Sequence, residues 1–146
     1  MIRHAIATDR DRVLLMARDF HRAAGLPFAF CPVTASMLFD AAVHDEDRLC
    51  LVYEQADGAP VGTLCAYAGP HLFAPVKVAQ EIMFWIAPAC RGRGARGMMQ
   101  AYEDWARSRG CALVHMVGLG ADPVTTAFYQ RLGYEPAERH FFKALG

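Results

Sequence analysis

Apolar and polar positions along this chain keep two rhythms, and the change from one to the other lays out most of its elements. Met98, Met99, Tyr102, Trp105 and Ala106 recur at spacings of three and four, with Gln100, Glu103, Asp104 and Arg107 on the opposite side. That pattern predicts an amphipathic helix. Upstream, Glu81-Ile82-Met83-Phe84-Trp85-Ile86 is nearly unbroken in apolar character and reads as a buried strand, closed by Pro88. Between the two runs lies Arg91-Gly92-Arg93-Gly94-Ala95-Arg96-Gly97, a glycine-rich turn.

The same reading extends both ways. Residues 2–7 alternate weakly and predict a first strand. Thr8, Asp9 and Asp11 signal a helix start, Thr8 as the cap, and the helix carries Val13, Leu14, Met16, Ala17 and Phe20 until Gly25 and Pro27 end it. Pro32, Thr34 and Ser36 open a second helix through Met37, Leu38, Ala41 and Ala42. Residues 49–55 and 61–68 predict an antiparallel strand pair around a turn at 56–60, and 69–75 a loop. Arg109-Gly110 ends the helix of residues 98–107, and 111–117 predict the next strand. Asp122-Pro123 opens a fourth helix holding Ala127, Phe128, Tyr129 and Leu132, stopped by Gly133. Residues 134–145 read as a last strand pair bent at Pro136. The order β-α-α-β-β-β-α-β-α-β-β implies an α/β chain: a mixed sheet, antiparallel early, with helices on its faces.

At 146 residues the chain is expected to form one domain, 1–146, with a core of its own. Fifteen basic residues balance fifteen acidic ones, which argues against nucleic acid or a membrane surface as partner. Any anion site must be local. Five cysteines, Cys31, Cys50, Cys65, Cys90 and Cys111, lie scattered, several within apolar runs where a thiol acts as a small hydrophobe. Odd, unpatterned cysteines fit a reducing compartment, and the start of the sequence lacks the apolar core of a signal peptide, so a cytoplasmic location is expected. The six histidines, among them His71 and His115, have no spacing that builds a metal site on one element. Phe20, Phe28, Phe30 and Phe39 either line an acceptor pocket or pack the helical layer.

A glycine-rich turn between a buried strand and a helix start offers backbone N–H groups and the positive end of the helix dipole, a cradle for phosphate or pyrophosphate. The flanking arginines add positive charge. No Gly-Lys-Ser/Thr follows, so this is not a Walker loop. The acid that a dinucleotide fingerprint requires some twenty residues on is also missing, since Cys111 falls there.

In this setting the chain resembles the GNAT superfamily of acyl-CoA-dependent N-acetyltransferases, whose motif is Arg/Gln-x-x-Gly-x-Gly/Ala between a central strand and a helix. Arg91, Gly92, Arg93, Gly94 and Ala95 match; Arg96 stands where the last small residue belongs, and Gly97 follows one place late. The shortened loop is similar to that of phage-associated members. Ile86-Ala87-Pro88 resembles the Val-x-Pro leading into the family's loop. Residues 122–134 resemble Asn-x-x-Ala-x-x-x-Tyr-x-x-x-Gly-Phe through Ala127-Phe128-Tyr129 and Leu132-Gly133-Tyr134, with Asp122 in place of the Asn. Order and spacing carry the likeness over about residues 49–145.

The resemblance implies a three-layer α/β/α fold with a mixed, mostly antiparallel sheet of six or seven strands. It implies transfer of an acetyl group from acetyl-CoA to a primary amine by direct attack in a ternary complex, with no metal. Arg91, Gly92, Arg93, Gly94, Ala95, Arg96 and Gly97 would bind the pyrophosphate, with Asp122 a further coenzyme contact. Phe84, Trp85 and Ile86 would lie along the coenzyme, main-chain N–H groups near Trp85 or Ile86 polarising the thioester carbonyl where the strand splays from its neighbour. An amine nucleophile must first lose a proton. Glu81, at the start of the apolar strand, is either the base, strengthened by desolvation, or a strand-edge carboxylate facing water or an arginine. Tyr129 is either the general acid to the departing thiolate or a core tyrosine beside Phe128. A non-catalytic acyl-CoA-binding module on the same fold is the alternative. The acceptor stays open among polyamine, antibiotic, amino acid, peptide N-terminus and protein lysine, and a homodimer is compatible with the sequence.

Overall fold

Five strands and three helices build one sheet with helices on both faces. The computed structural model describes residues 1–118, 123–138, 140–141 and 143–145. They fall into two compact units, Met1–Met116 and Val117–Gly146. In the first unit the elements are β1 (Ile2–His4), α1 (Arg10–Ala24), α2 (Pro32–His44), β2 (Arg48–Glu54), β3 (Pro60–Pro70), β4 (Lys77–Ile86), α3 (Ala95–Ser108) and β5 (Cys111–His115). Short 3-10 turns cover Ala7–Asp9 and Pro88–Cys90.

The sheet runs β1-β2-β3-β4-β5. Its first four strands are antiparallel neighbours; β4 and β5 are parallel, joined through α3. Alternation along β2 sorts the layers. Cys50 and Val52 pack with Val13 and Met16 of α1 and Phe39 of α2, while Cys65 and Trp85 border the same cluster. Leu49, Leu51 and Tyr53 face the other way, and there the start of α3 lies against Tyr53 and Ile2. The buried side chains of α3 are Met98, Met99, Tyr102, Trp105 and Ala106, the stripe that the periodicity predicts. This is a mixed α/β sheet between helical layers.

Several boundaries differ from expectation. β1 stops at His4 because Asp9 reaches back: its Oδ2 accepts the Ile6 N–H at 2.8 Å and also pairs with Arg3 Nη1 at 2.7 Å. Asp9, not Thr8, ties this turn. β4 begins at Lys77 rather than at Glu81, since residues 77–80 have strand neighbours on both sides. Glu81 therefore lies in the middle of the strand and is 3% exposed. β5 ends at His115, short of Val117. Among the described residues the strands number five rather than six or seven, and none falls within 134–145. No helix among them is long and apolar enough to cross a membrane.

In the second unit α4 (Pro123–Arg131) ends at Gly133, whose φ of 85° suits only glycine well. The Gly133 N–H donates to the Gln130 carbonyl and the Tyr134 N–H to that of Tyr129, so the last turn's acceptors are met by the chain reversing over Gly133. Asp122 lies outside the described residues.

Candidate functional site: a strand that loses its neighbour beside an open helix start

Arg91 to Gly97 leads into α3 as its glycines allow. Gly92 and Gly94 have φ of 84° and 74°, left-handed values. Gly94 is the residue that caps α3, so no side chain is there to satisfy the first-turn amides. The Met98 N–H is the first of that turn to reach an intrahelical carbonyl, that of Gly94 at 2.9 Å. The N–H groups of Ala95, Arg96 and Gly97 thus precede the helical ladder, at the positive end of a fourteen-residue helix dipole. Close packing keeps side chains out of this corner. A Cβ on Gly94 would stand 2.7 Å from Tyr53 Cε1, and one on Gly97 2.6 Å from Ile2 Cδ1, a terminal methyl with room to turn. Main-chain N–H groups at such a helix start offer hydrogen bonds and positive potential to an anion.

The arginines divide their work. Arg91 holds the protein: its guanidinium stands 4.9 Å over the Trp85 ring and its Nε donates to the Ile86 carbonyl at 3.2 Å. Arg93 and Arg96 are exposed. Arg91 is thus fastened to β4 while exposed, as Arg93 and Arg96 are.

Among the described residues β4 pairs with β5 only from Lys77↔Cys111 to Gln80↔His115; beyond that, residues 81–86 keep β3 alone as strand partner. The Ala87 N–H donates to the Val61 carbonyl on β3. Antiparallel alternation then turns the main-chain groups of Trp85 and Met83 toward β3, and those of Ile86 and Phe84 toward the side that β5 has left. The splay that the resemblance implies is present in this unit. Phe84 and Ile86, rather than Trp85, turn their N–H groups into it.

A register shift between Cys65 and Ala66 shapes the same stretch: Cys65 faces Met83 while Ala66 faces Glu81, leaving Ile82 as the extra residue of a bulge. In consequence the carboxylate is buried and the isoleucine is 47% exposed, the reverse of what an apolar run suggests. A strand-edge Glu81 facing water is ruled out.

The other expected residues are placed as follows. Tyr129, on α4 in the second unit, is half-buried between the rings of Phe128 and Tyr134, each centroid 5.9 Å away. Its hydroxyl donates to the Val117 carbonyl at 3.3 Å, a long bond for O–H···O. His115 closes β5 and its carbonyl accepts the Tyr102 hydroxyl at 2.9 Å. His71 accepts the Phe73 N–H at Nδ1 in the exposed loop between β3 and β4. Of the phenylalanines, Phe39 is core, Phe20 meets Trp85 edge-on at 6.4 Å, and Phe28 and Phe30 flank His21. Tyr53 was not foreseen as part of the site. Only its position opposite Gly62 in the hairpin, an aromatic facing a glycine, hints at it.

The sequence profile of the acetyltransferase (GNAT) family, whose enzymes take acetyl-CoA as co-substrate, matches residues 14–134. No curated protein matches the chain. Among solved structures, a transcriptional regulator from Bacillus halodurans C-125 superposes with a TM-score of 0.83 at 21% identity, covering 99% of both chains. AAC(6')-Iy, in complex with the bisubstrate analog CoA-S-monomethyl-acetylneamine, superposes with a TM-score of 0.78 at 17% identity, over 99% of this chain and 96% of that one. An acetyltransferase of Trypanosoma brucei gives 0.75 at 20% identity, over 99% of both. A splayed central strand running through a glycine turn into an uncapped helix start thus coincides with a profile match over most of the length, and the chain belongs to the acetyltransferase (GNAT) family.

Proposed function

We propose that this acetyltransferase moves the acetyl group of acetyl-CoA to a primary amine by direct attack in a ternary complex, with residues 1–146 working as a single acyl-CoA-binding domain. One observation carries the reading: the amide-lined start of α3 adjoins the segment of β4 that β5 leaves unpaired. The N–H groups of Ala95, Arg96 and Gly97 hold the pyrophosphate, with exposed Arg93 and Arg96 adding charge. The N–H groups of Phe84 and Ile86 face the acyl arm and polarise its carbonyl as negative charge develops there. Glu81 takes the ammonium proton, directly or through water, from its buried position on β4. Tyr129 returns a proton to the thiolate as it leaves, a role that rests on its place in the motif. Asp122 is a further coenzyme contact in the same scheme.

The test is acetyl-CoA turnover with a panel of primary amines, read as free thiol release, alongside calorimetry with CoA. Saturable heat and thiol release that needs both substrates are expected. Heat without release from any amine would overturn the catalytic reading, and a folded protein giving no heat would overturn the binding reading as well.

A further inference from the structure

Cys50 on β2 and Cys65 on β3 are direct cross-strand partners. The Cys50 carbonyl accepts the Ala5 N–H, so its main chain points to β1 and away from β3. The two cysteines thus form a non-hydrogen-bonded pair, the closer of the two antiparallel spacings, with Cα atoms about 4.5 Å apart. That lies inside the roughly 4.4–6.8 Å window of protein disulfides. Both side chains project to the α1–α2 face, where their sulfurs are 3.7 Å apart, Cys65 Sγ–H donating to Cys50 Sγ. Thr63 Oγ1 lies 3.6 Å from Cys50 Sγ and 3.9 Å from Cys65 Sγ. Cys50 is buried and Cys65 is half-buried, so the pair is reached through Cys65.

We propose that Cys50 and Cys65 are a dithiol oxidation site that closes to a disulfide on reaction with a hydroperoxide. The Cys65 thiolate, on the half-buried side of the pair, attacks one peroxide oxygen. The O–O bond breaks, giving Cys65 sulfenic acid and, with one proton, an alcohol or water. Cys50 Sγ then attacks Cys65 Sγ, the S–O bond breaks, and the hydroxide leaves as water with the Cys50 proton. Two thiols and one hydroperoxide become one disulfide, one alcohol and one water.

The site touches the catalytic strand. Cys65 pairs with Met83, and the register shift immediately after it sets Ala66 opposite Glu81. Drawing the sulfurs together from 3.7 Å to about 2 Å moves the β3 residue that borders this bulge. Oxidation therefore displaces Glu81 and lowers acetyl transfer; this consequence, unlike the disulfide itself, rests on the role proposed for Glu81.

The experiment treats the full chain with hydrogen peroxide, removes the peroxide with catalase, alkylates remaining thiols in denaturant and maps the peptides by mass spectrometry. A Cys50–Cys65 cross-linked peptide, short of two hydrogens and reversed by dithiothreitol, is the expected product in most of the protein. Peroxide that oxidises Cys31, Cys90 or Cys111 while Cys50 and Cys65 stay alkylatable overturns the proposal. The wild-type chain suffices for this readout, so it survives any variant that fails to fold. In parallel, acetylated amine is measured before oxidation, after it, and after reduction. A reversible fall of about tenfold or more in wild type, absent in Cys65→Ala, supports the link to Glu81. A cross-link with unchanged activity leaves the disulfide standing and removes its control of transfer. If the reduced enzyme acetylates no amine, the function reading fails while the peptide result still decides the site.

Discussion

The Arg91 guanidinium covers the Trp85 ring at 4.9 Å while its Nε holds the Ile86 carbonyl, so the first residue of the glycine loop is fastened to the end of β4. Trp85 in turn meets Phe20 of α1 edge-on. The loop is thus positioned by packing, with charge a secondary contribution at this residue. Arg91→Ala is expected to lower stability by about 1–2 kcal/mol, the sum of a partly exposed cation–π contact and one hydrogen bond. Trp85→Leu removes the same platform. If Arg91 acts through Trp85, the two substitutions weaken acetyl-CoA binding by similar factors and their double variant is less than additive. Calorimetry on the four proteins of the cycle checks this; full additivity would mean that Arg91 meets the coenzyme independently.

Gly92 and Gly94 share a left-handed backbone but not a neighbourhood. A Cβ on Gly92 meets nothing within 4 Å, whereas one on Gly94 would strike the Tyr53 ring at 2.7 Å. Gly92→Ala is expected to cost about 1 kcal/mol, the conformational penalty alone. Gly94→Ala adds the clash and is expected to cost about 2–4 kcal/mol. Urea unfolding measures both. In a Tyr53→Ala background the two glycine substitutions should become nearly equal, and a difference that persists would place the penalty in the backbone rather than the ring.

The contrast between α3 and β4 shows what a sequence of this kind discloses. Helical periodicity is local, so Met98, Met99, Tyr102, Trp105 and Ala106 declare the buried face of α3 from within one short window. The glycines before it likewise announce a tight turn on their own account. The interior of β4 depends instead on its partner. Whether Glu81 or Ile82 points inward is decided by the register shift against Cys65 and Ala66, residues fifteen or more positions away, and an apolar run carries no mark of it. The same holds for Tyr53, which reaches Gly94 across the sheet. The early end of β1 has another source: Asp9 serves Ile6 and Arg3 at once, a side-chain network that propensity does not encode.

Arg3 joins Asp9 and Glu54, two carboxylates 6% and 8% exposed, and bonds to both. Its hydrogen bonds hold the Asp9 carboxyl below the ordinary range. A lowered folded-state value means that the unfolded chain binds the proton more readily, so this contribution is complete above the unfolded value of about 3.9 and fades as pH falls below it. Arg3→Met should cost about 3 kcal/mol near neutrality by leaving two buried carboxylates uncompensated. In that variant burial raises the same carboxyl, so the sign reverses and the deficit against wild type narrows as pH drops from 6 toward 3. Urea unfolding across that range checks it; a deficit independent of pH would assign the loss to packing.

Glu81 is the buried carboxylate on the strand that loses its neighbour, one bulge away from the main-chain groups of Phe84 that face the opening. A general base contributes roughly 10²–10⁴-fold to the rate. Glu81→Gln keeps the shape and hydrogen-bonding reach of the side chain while removing its basicity. It is expected to lower kcat within that range and to leave the Kd for acetyl-CoA within about twofold, since the pyrophosphate is held by the start of α3. The basic role also predicts that the wild-type rate rises with pH along a limb that the variant lacks. Tyr129→Phe should act differently, flattening the alkaline side where a general acid is lost. Turnover by Glu81→Gln within about fivefold of wild type, with an unchanged pH profile, would make Glu81 a structural carboxylate of the bulge and move the search for the base to groups that reach the acceptor through water.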